Sequence, residues 1–127
     1  MYVYYILPQR ISGVQGAART APYFLEELSP YAEKIHVATE DGSYGSKGFV
    51  TDILNPKDFD LILCCGPNAM MQSVKKILND TPALFSLESH MACGIGACLA
   101  CSVRTVEGMK RVCREGPVFP AKEVCFS

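Results

Sequence analysis

Four cysteines towards the carboxyl end carry the most specific chemical signal in the chain. Cys93, Cys98, Cys101 and Cys113 follow the spacing C-x4-C-x2-C-x11-C. The first three match the plant-type spacing in which thiolates hold a [2Fe–2S] cluster. The residues between them suit that task. Gly94 and Gly96 can adopt positive φ, so the loop can curl around an inorganic core and aim N–H groups at its sulfurs. Ala92, Ala97 and Ala100 keep bulk out of the way. Four thiolates around an oxidised core leave about two net negative charges. The nearby cations are Arg104, Lys110, Arg111 and Arg114, so N–H donors must carry much of the compensation. Such a centre would shuttle single electrons. A chemically distinct alternative is a zinc-stabilised interaction module. Structural zinc usually takes two short C-x2-C pairs, and one is present here. His90 is expected on the surface of the cysteine loop.

The rest of the composition bounds the problem. Seven cysteines cannot all pair. With no secretory leader, a reducing, cytoplasmic setting is expected, where clustered cysteines bind metal or do redox chemistry. The 12 Lys+Arg nearly balance 13 Asp+Glu, which excludes a broadly basic nucleic-acid binder. The longest uncharged apolar stretch is Met1–Leu7, far short of the ~20 residues that cross a bilayer. No side chain has the setting of an acid, base or nucleophile, so no catalytic residue is assigned.

The elements that must position the cysteines read as two parts, 1–88 and 89–127. In the first, Tyr2–Leu7 is a β-rich apolar run that Pro8–Gly16 breaks. Thr20 is placed to cap a helix reaching Leu28, with Pro22 in its first turn. Lys34–Thr39 reads as a strand, with His36 packed in it. Glu40–Gly48 is a glycine-punctuated loop, and Phe49–Leu54 a short helix or turn. Asp60–Cys65 reads as a strand buried on both faces, with Cys64 in the core. Ala69–Asn79 has a helical apolar period at 70, 74, 77 and 78, with Asn68 as its cap. Ala83–Leu87 is another strand. Strands alternating with helices predict an α/β fold with a parallel sheet. In the second part, Ser102–Val106 and Met109–Cys113 can pair as a hairpin. The tail Gly116–Pro120 is too proline-rich for regular structure.

Cys65-Gly66-Pro67 ends a strand and precedes a helix, where open α/β sheets bind ligands. Asp41, Gly42, Ser43 and Gly45 offer donors and glycines in the loop after another strand. Together, Thr39–Gly45, Lys47–Asp52 and Cys65-Gly66-Pro67 with Met70 resemble the NAD-binding half of ferredoxin-reductase-type flavoproteins. Met91–Cys101, with Val112-Cys113 and Gly116-Pro117-Val118-Phe119, resembles the electron-transfer subunits of NAD-dependent dihydroorotate dehydrogenases. The resemblance covers residues 16–127. It implies a partial ferredoxin-reductase-type NAD-binding parallel sheet followed by a small [2Fe–2S] module. It also implies a route for electrons in pyrimidine biosynthesis: from dihydroorotate, through flavin in a partner catalytic subunit, then this [2Fe–2S] cluster and an FAD, to NAD. Cys65, Gly66 and Pro67 would lie at the nicotinamide end, with Asp41–Gly45 near the nucleotide. A related alternative is the iron–sulfur subunit of an NAD(P)H–ferredoxin or sulfur oxidoreductase. Family members carry an FAD-binding β-barrel before the NAD half. Nothing in this sequence matches it, and the first strand with its glycine-rich loop is also unmatched. Met1–Gln15 is therefore expected to be an unrelated leader, FAD not to bind the isolated chain, and NAD to bind weakly.

Overall fold

The computed structural model describes residues 2–7, 10–17 and 25–126. Among them, nine strands form two sheets. The larger contains β1 (Tyr2–Leu7), β2 (Arg10–Ala17), β3 (Ala32–Thr39), β4 (Ser46–Lys47), β5 (Leu61–Cys65), β6 (Ala83–Ser86) and β9 (Val118–Pro120), in the order β4-β3-β2-β1-β5-β6-β9. The smaller is the hairpin of β7 (Ser102–Thr105) and β8 (Gly108–Arg111). Helices α1 (Leu25–Leu28), α2 (Val50–Ile53), α3 (Asn68–Ile77) and α4 (Val112–Glu115) complete the fold, with a 3-10 turn at Pro56–Asp58.

The sheet is not wholly parallel. β2, β3, β4, β5 and β6 run one way, whereas β1 and β9 run against them. Two expectations are corrected here. Arg10–Ala17 is a strand rather than a break, because β1 and β3 pair with it on both sides. That tertiary pairing outweighs the poor strand preference of Gly13 and Gly16. Residues 2–7, read as part of a leader, fill the place between β2 and β5. Thr20 and Pro22 lie outside the described residues.

The core forms where α3 covers the sheet. Met71 and Val74 of α3 are buried against Ile62 and Cys64 of β5 and Phe85 of β6. Ile62 and Cys64 alternate with the partly buried Leu61, Leu63 and Cys65, so β5 is fully buried on one face only. Pro67, not Asn68, occupies the cap position of α3, and Asn68 is its first helical residue. Proline fits there because no N–H is needed. His36 is exposed, whereas Val37, Ala38 and Thr39 after it are all buried, so β3 is covered on both faces only at its end.

The tail is also more regular than its composition predicts. β9 pairs antiparallel with β6, matching Leu84 with Pro120 and Ser86 with Val118. At a sheet edge a proline costs no ladder bond, so Pro120 is tolerated. Phe119, Val112, Val124 and Cys101 join the same core as Phe85 and Leu87. Sheet and core thus both cross the boundary drawn at residue 88, and the cysteine-bearing segment is braced by the sheet.

Candidate metal centre

The loop from Met91 to Ala100 has no regular secondary structure. Its path is set by backbone geometry: Gly94, Gly96 and Leu99 all have positive φ, the last at 62°. Leu99 is held there by its carbonyl oxygen, which accepts from Ser102 N–H at 3.2 Å and Ser102 Oγ at 2.7 Å. A leucine in this region is strained, and the two bonds from Ser102 offset that cost as the chain enters β7.

The curled loop turns its N–H groups on Cys93. Cys98 N–H donates to Cys93 Sγ at 3.4 Å. With further N–H groups of Ile95 and Ala97 and the thiol of Cys98, it draws the Cys93 thiol down to about 6. Cys101 and Cys113 form a second pair. Cys113 N–H donates to Cys101 Sγ at 3.5 Å and is the leading reason that thiol is lowered, with the Cys113 side chain adding to it. The Cys113 thiol is itself raised, first by its bond to Cys101, then by burial and by the charge of Cys101. Cys101 is only 3% exposed, whereas Cys98 is exposed.

Among the described residues, no three His, Cys, Asp or Glu side chains close on one point as a single metal ion requires. The thiols stand two and two, Cys93 with Cys98 and Cys101 with Cys113. Two pairs, with N–H donors aimed at Cys93 and Cys101, fit a two-iron core whose irons each take two thiolates. One arm of the site was not anticipated. Arg111 Nη1 donates to the Gly96 carbonyl oxygen at 2.8 Å, while its Nε meets Glu115 Oε2 at 2.9 Å. The sequence alone marks Arg111 only as a nearby cation. Its opposite-charge partner four residues on was the available signal.

The residues expected at a nucleotide lie along one edge of the large sheet. β3, β5 and β6 are parallel, so the loops after Thr39, Cys65 and Ser86 emerge on the same side. Cys65, partly buried, ends β5 and leads into Gly66 and Pro67. Gly66, Pro67, Asn68, Glu88, Ser89 and His90 line a cleft of about 500 Å³. Asp41, Gly42, Ser43 and Gly45 form a tight, exposed turn. Asp41 Oδ1 accepts from Ser43 N–H at 2.9 Å, which is the first cause of its lowered carboxyl. Gly45 has φ 67°, and a Cβ there would collide with the Val37 carbonyl oxygen, so only glycine fits. Buried Thr39 ties the turn down, donating from Oγ1 to the Tyr44 carbonyl oxygen at 2.8 Å. The turn and the cleft are separated by β2 and β1, or about 14 Å at the usual strand spacing.

Comparison with known proteins bears on both regions. Residues 88–125 match the family model described as the iron–sulfur cluster binding domain of dihydroorotate dehydrogenase B. The chain is 42% identical over 113 residues to the electron transfer subunit of dihydroorotate dehydrogenase B (NAD(+)) of Clostridium perfringens, covering 87% of this chain and 46% of that protein. The corresponding subunit of Clostridium acetobutylicum is 44% identical, with 86% and 45% covered. That of Listeria innocua is 48% identical, with 80% and 42% covered. Among solved structures, one described as an NADH-dependent reduced ferredoxin–NADP oxidoreductase, studied for flavin-based electron bifurcation, superposes with a TM-score of 0.72. It is 31% identical, with 90% of this chain and 44% of that chain covered. The chain spans about half the length of the curated relatives it matches. The chain is thus similar along most of its length to dihydroorotate dehydrogenase B electron transfer subunits, and residues 88–125 match the iron–sulfur cluster binding domain of that family.

Proposed function

We propose that Cys93, Cys98, Cys101 and Cys113 bind a [2Fe–2S] cluster, and that the chain uses it to pass electrons between a flavin-containing dihydroorotate dehydrogenase catalytic subunit and an FAD/NAD couple. The observation that carries this reading is the pairing of four thiols, Cys93 with Cys98 and Cys101 with Cys113, with N–H donors on Cys93 and Cys101. When bound, the cluster supplies a one-electron reservoir. The N–H groups of Ile95, Ala97 and Cys98 offset negative charge on the Cys93 sulfur. Ile95 and Leu99, 75% and 61% exposed, present apolar surface at the rim of the thiol site. A charge-poor rim of this kind suits the core of a protein interface. The flavin-bearing partner is read to dock there as a hetero-oligomer.

Residues 1–88 are read as a partial NAD-binding domain, with Cys65-Gly66-Pro67 at the nicotinamide and Asp41–Gly45 near the rest of the nucleotide. NADH binding by this chain alone is expected to be weak, and FAD is expected not to remain bound. All seven cysteines are free thiols, in keeping with a cytoplasmic setting. No described helix is long and apolar enough to cross a membrane.

A second reading, an iron–sulfur subunit of an NAD(P)H–ferredoxin-type oxidoreductase, is favoured by the structural likeness at a TM-score of 0.72. Anaerobic purification with visible spectroscopy, iron and acid-labile sulfide analysis tests what both share. Two irons and two sulfides per chain are expected. Stoichiometric zinc without iron would overturn the cluster. Reduction of the cluster by a dihydroorotate-oxidising subunit, but not by reduced ferredoxin, separates the two readings.

A further inference from the structure

Arg111 ends β8 and stands at the cap position of α4, two residues before Cys113. Its guanidinium joins two segments that are distant in sequence. Nη1 donates to the Gly96 carbonyl oxygen at 2.8 Å, across fifteen residues. Nε donates to Glu115 Oε2 at 2.9 Å, and Nη2 bonds Glu115 Oε1. The backbone N–H of Arg111 donates to the same Glu115 Oε2 at 2.6 Å. Glu115 thus folds back over the single helical turn that carries Cys113, while Gly96 belongs to the loop that carries Cys93 and Cys98.

Gly96 is shaped for this contact. It is buried at φ 84°, and a Cβ there would lie 2.9 Å from Arg114 Cδ and 3.5 Å from Arg111 Nη1. The two arginine side chains lie over the glycine, so the loop cannot shift without disturbing them. A guanidinium suits the junction because its rigid fork can serve a carboxylate and a carbonyl at once, which an ammonium on a flexible stem does poorly.

We propose that Arg111, locked by Glu115, is a positioning residue that fixes the gap between the Cys93–Cys98 and Cys101–Cys113 pairs, so that the cluster is taken up and retained. The proposal rests on the cluster reading above. It assigns Arg111 a mechanical task apart from supplying charge: the guanidinium ties the first thiol pair to the second.

The test uses the full chain, loaded anaerobically, and three variants: Arg111→Gln, Arg111→Lys and Lys110→Gln. Lys110 is the control. It is the adjacent residue on the strand, and its ammonium meets Glu107 at 2.6 Å and Glu123 at 3.0 Å. The readouts are the rate of bleaching under an iron chelator and the electron paramagnetic resonance spectrum of the dithionite-reduced protein. Loss of a charge-assisted hydrogen bond predicts about tenfold faster bleaching for Arg111→Gln, with an altered spectrum. Arg111→Lys should fall between it and the parent, and Lys110→Gln should match the parent. An Arg111→Gln protein that matches Lys110→Gln in both readouts overturns the strut while leaving the cluster reading intact. Should Arg111→Gln hold no iron at all, Arg111→Lys decides. Faster bleaching supports the strut, and loading with bleaching at the parent rate overturns it. A parent chain that takes up no iron overturns the cluster reading and the strut with it.

Discussion

Cys64 in the middle of β5 and Cys93 in the loop after β6 are the same side chain in opposite surroundings. Cys64 is 2% exposed in the core, and burial, with a smaller contribution from Cys65, pushes its thiol up to about 12. Cys93 sits in a curl of N–H donors, led by that of Cys98, that draws it down to about 6. A strand spends its N–H groups on neighbouring strands, so a thiol on it meets only apolar side chains. A loop of positive-φ residues leaves N–H groups free to turn on sulfur. At these two positions the backbone, more than the cysteine itself, sets how readily the thiol ionises.

Substitution should separate the loop thiols from the strand thiol most visibly. Serine at any one of Cys93, Cys98, Cys101 or Cys113 should lose or destabilise the cluster, read as lost visible absorbance and iron content. Serine at Cys64 should leave both unchanged. Iron loss in the Cys64→Ser protein would mean that the strand, not only the loop, contributes to the site.

Reactivity should separate the two thiols next. Labelling of the metal-free chain with iodoacetamide at neutral pH should strongly favour Cys93 over the buried Cys64, because the thiolate is the reactive form. The sign with pH follows from the lowered thiol. Cys93 is a thiolate above about pH 6 and is protonated as pH falls through that value. Labelling of Cys93, followed by peptide mass spectrometry, should therefore drop below pH 6. A Cys93 rate that rises only above pH 8 would remove the N–H account of its ionisation.

Much of this contrast is legible in the residues alone. The C-x4-C-x2-C-x11-C spacing with Gly94 and Gly96 marks the loop, and the apolar run Leu61–Cys65 marks the strand. Both are local signals. What could not be read depends on pairing between distant segments. Arg10–Ala17 has two glycines and becomes a strand because β1 and β3 flank it. Val118–Pro120 becomes a strand because the free edge of β6 accepts it. The Arg111–Gly96 bond spans a loop whose course follows from backbone angles that composition does not specify. A place in a strand predicts a packed His36, yet local sequence does not say where along β3 the cover begins, and among its described residues only Val37, Ala38 and Thr39 are buried.

At the rim of the loop, Ile95→Asp places a charge on a side chain that is 75% exposed. It should cost nothing in folding and leave the cluster spectrum unchanged. Association with the flavin-bearing subunit should weaken at least tenfold, as for a central interface anchor, measured by co-purification or titration. Undiminished binding with an intact cluster would make the apolar rim a shield against water and move the docking surface elsewhere.

In the strand, Cys64→Ser is a test of packing. The new hydroxyl would lie among Ile62, Met71, Val74 and Phe85 in the core. A buried hydroxyl without a partner costs about 1–3 kcal/mol in protein mutational data. The expected result is a lower urea midpoint with full iron content. An unchanged midpoint would show that the hydroxyl finds a carbonyl to bond.

The smallest effect is expected at Cys125, although it lies in the same stretch, residues 88–125, that matches the iron–sulfur domain model and holds the four clustered thiols. Sharing that stretch does not give it their surroundings. Its backbone N–H is taken by the Arg104 carbonyl oxygen at 2.9 Å, in line with the bridge that Val124 makes to Thr105. Its thiol makes only a long 3.9 Å contact with the Glu123 carbonyl oxygen. The side chain is half-buried at a cleft lined by Ser102, Arg104 and Met109. A serine there keeps the volume and can still donate to Glu123, and surface substitutions away from special features usually fall within about 0.5 kcal/mol. Cys125→Ser should therefore retain cluster content, chelator resistance and urea midpoint, all measured on the loaded chain. Loss of iron on this substitution would show that the tail supplies a fifth thiol to the centre, and the four-cysteine spacing would no longer define the ligand set.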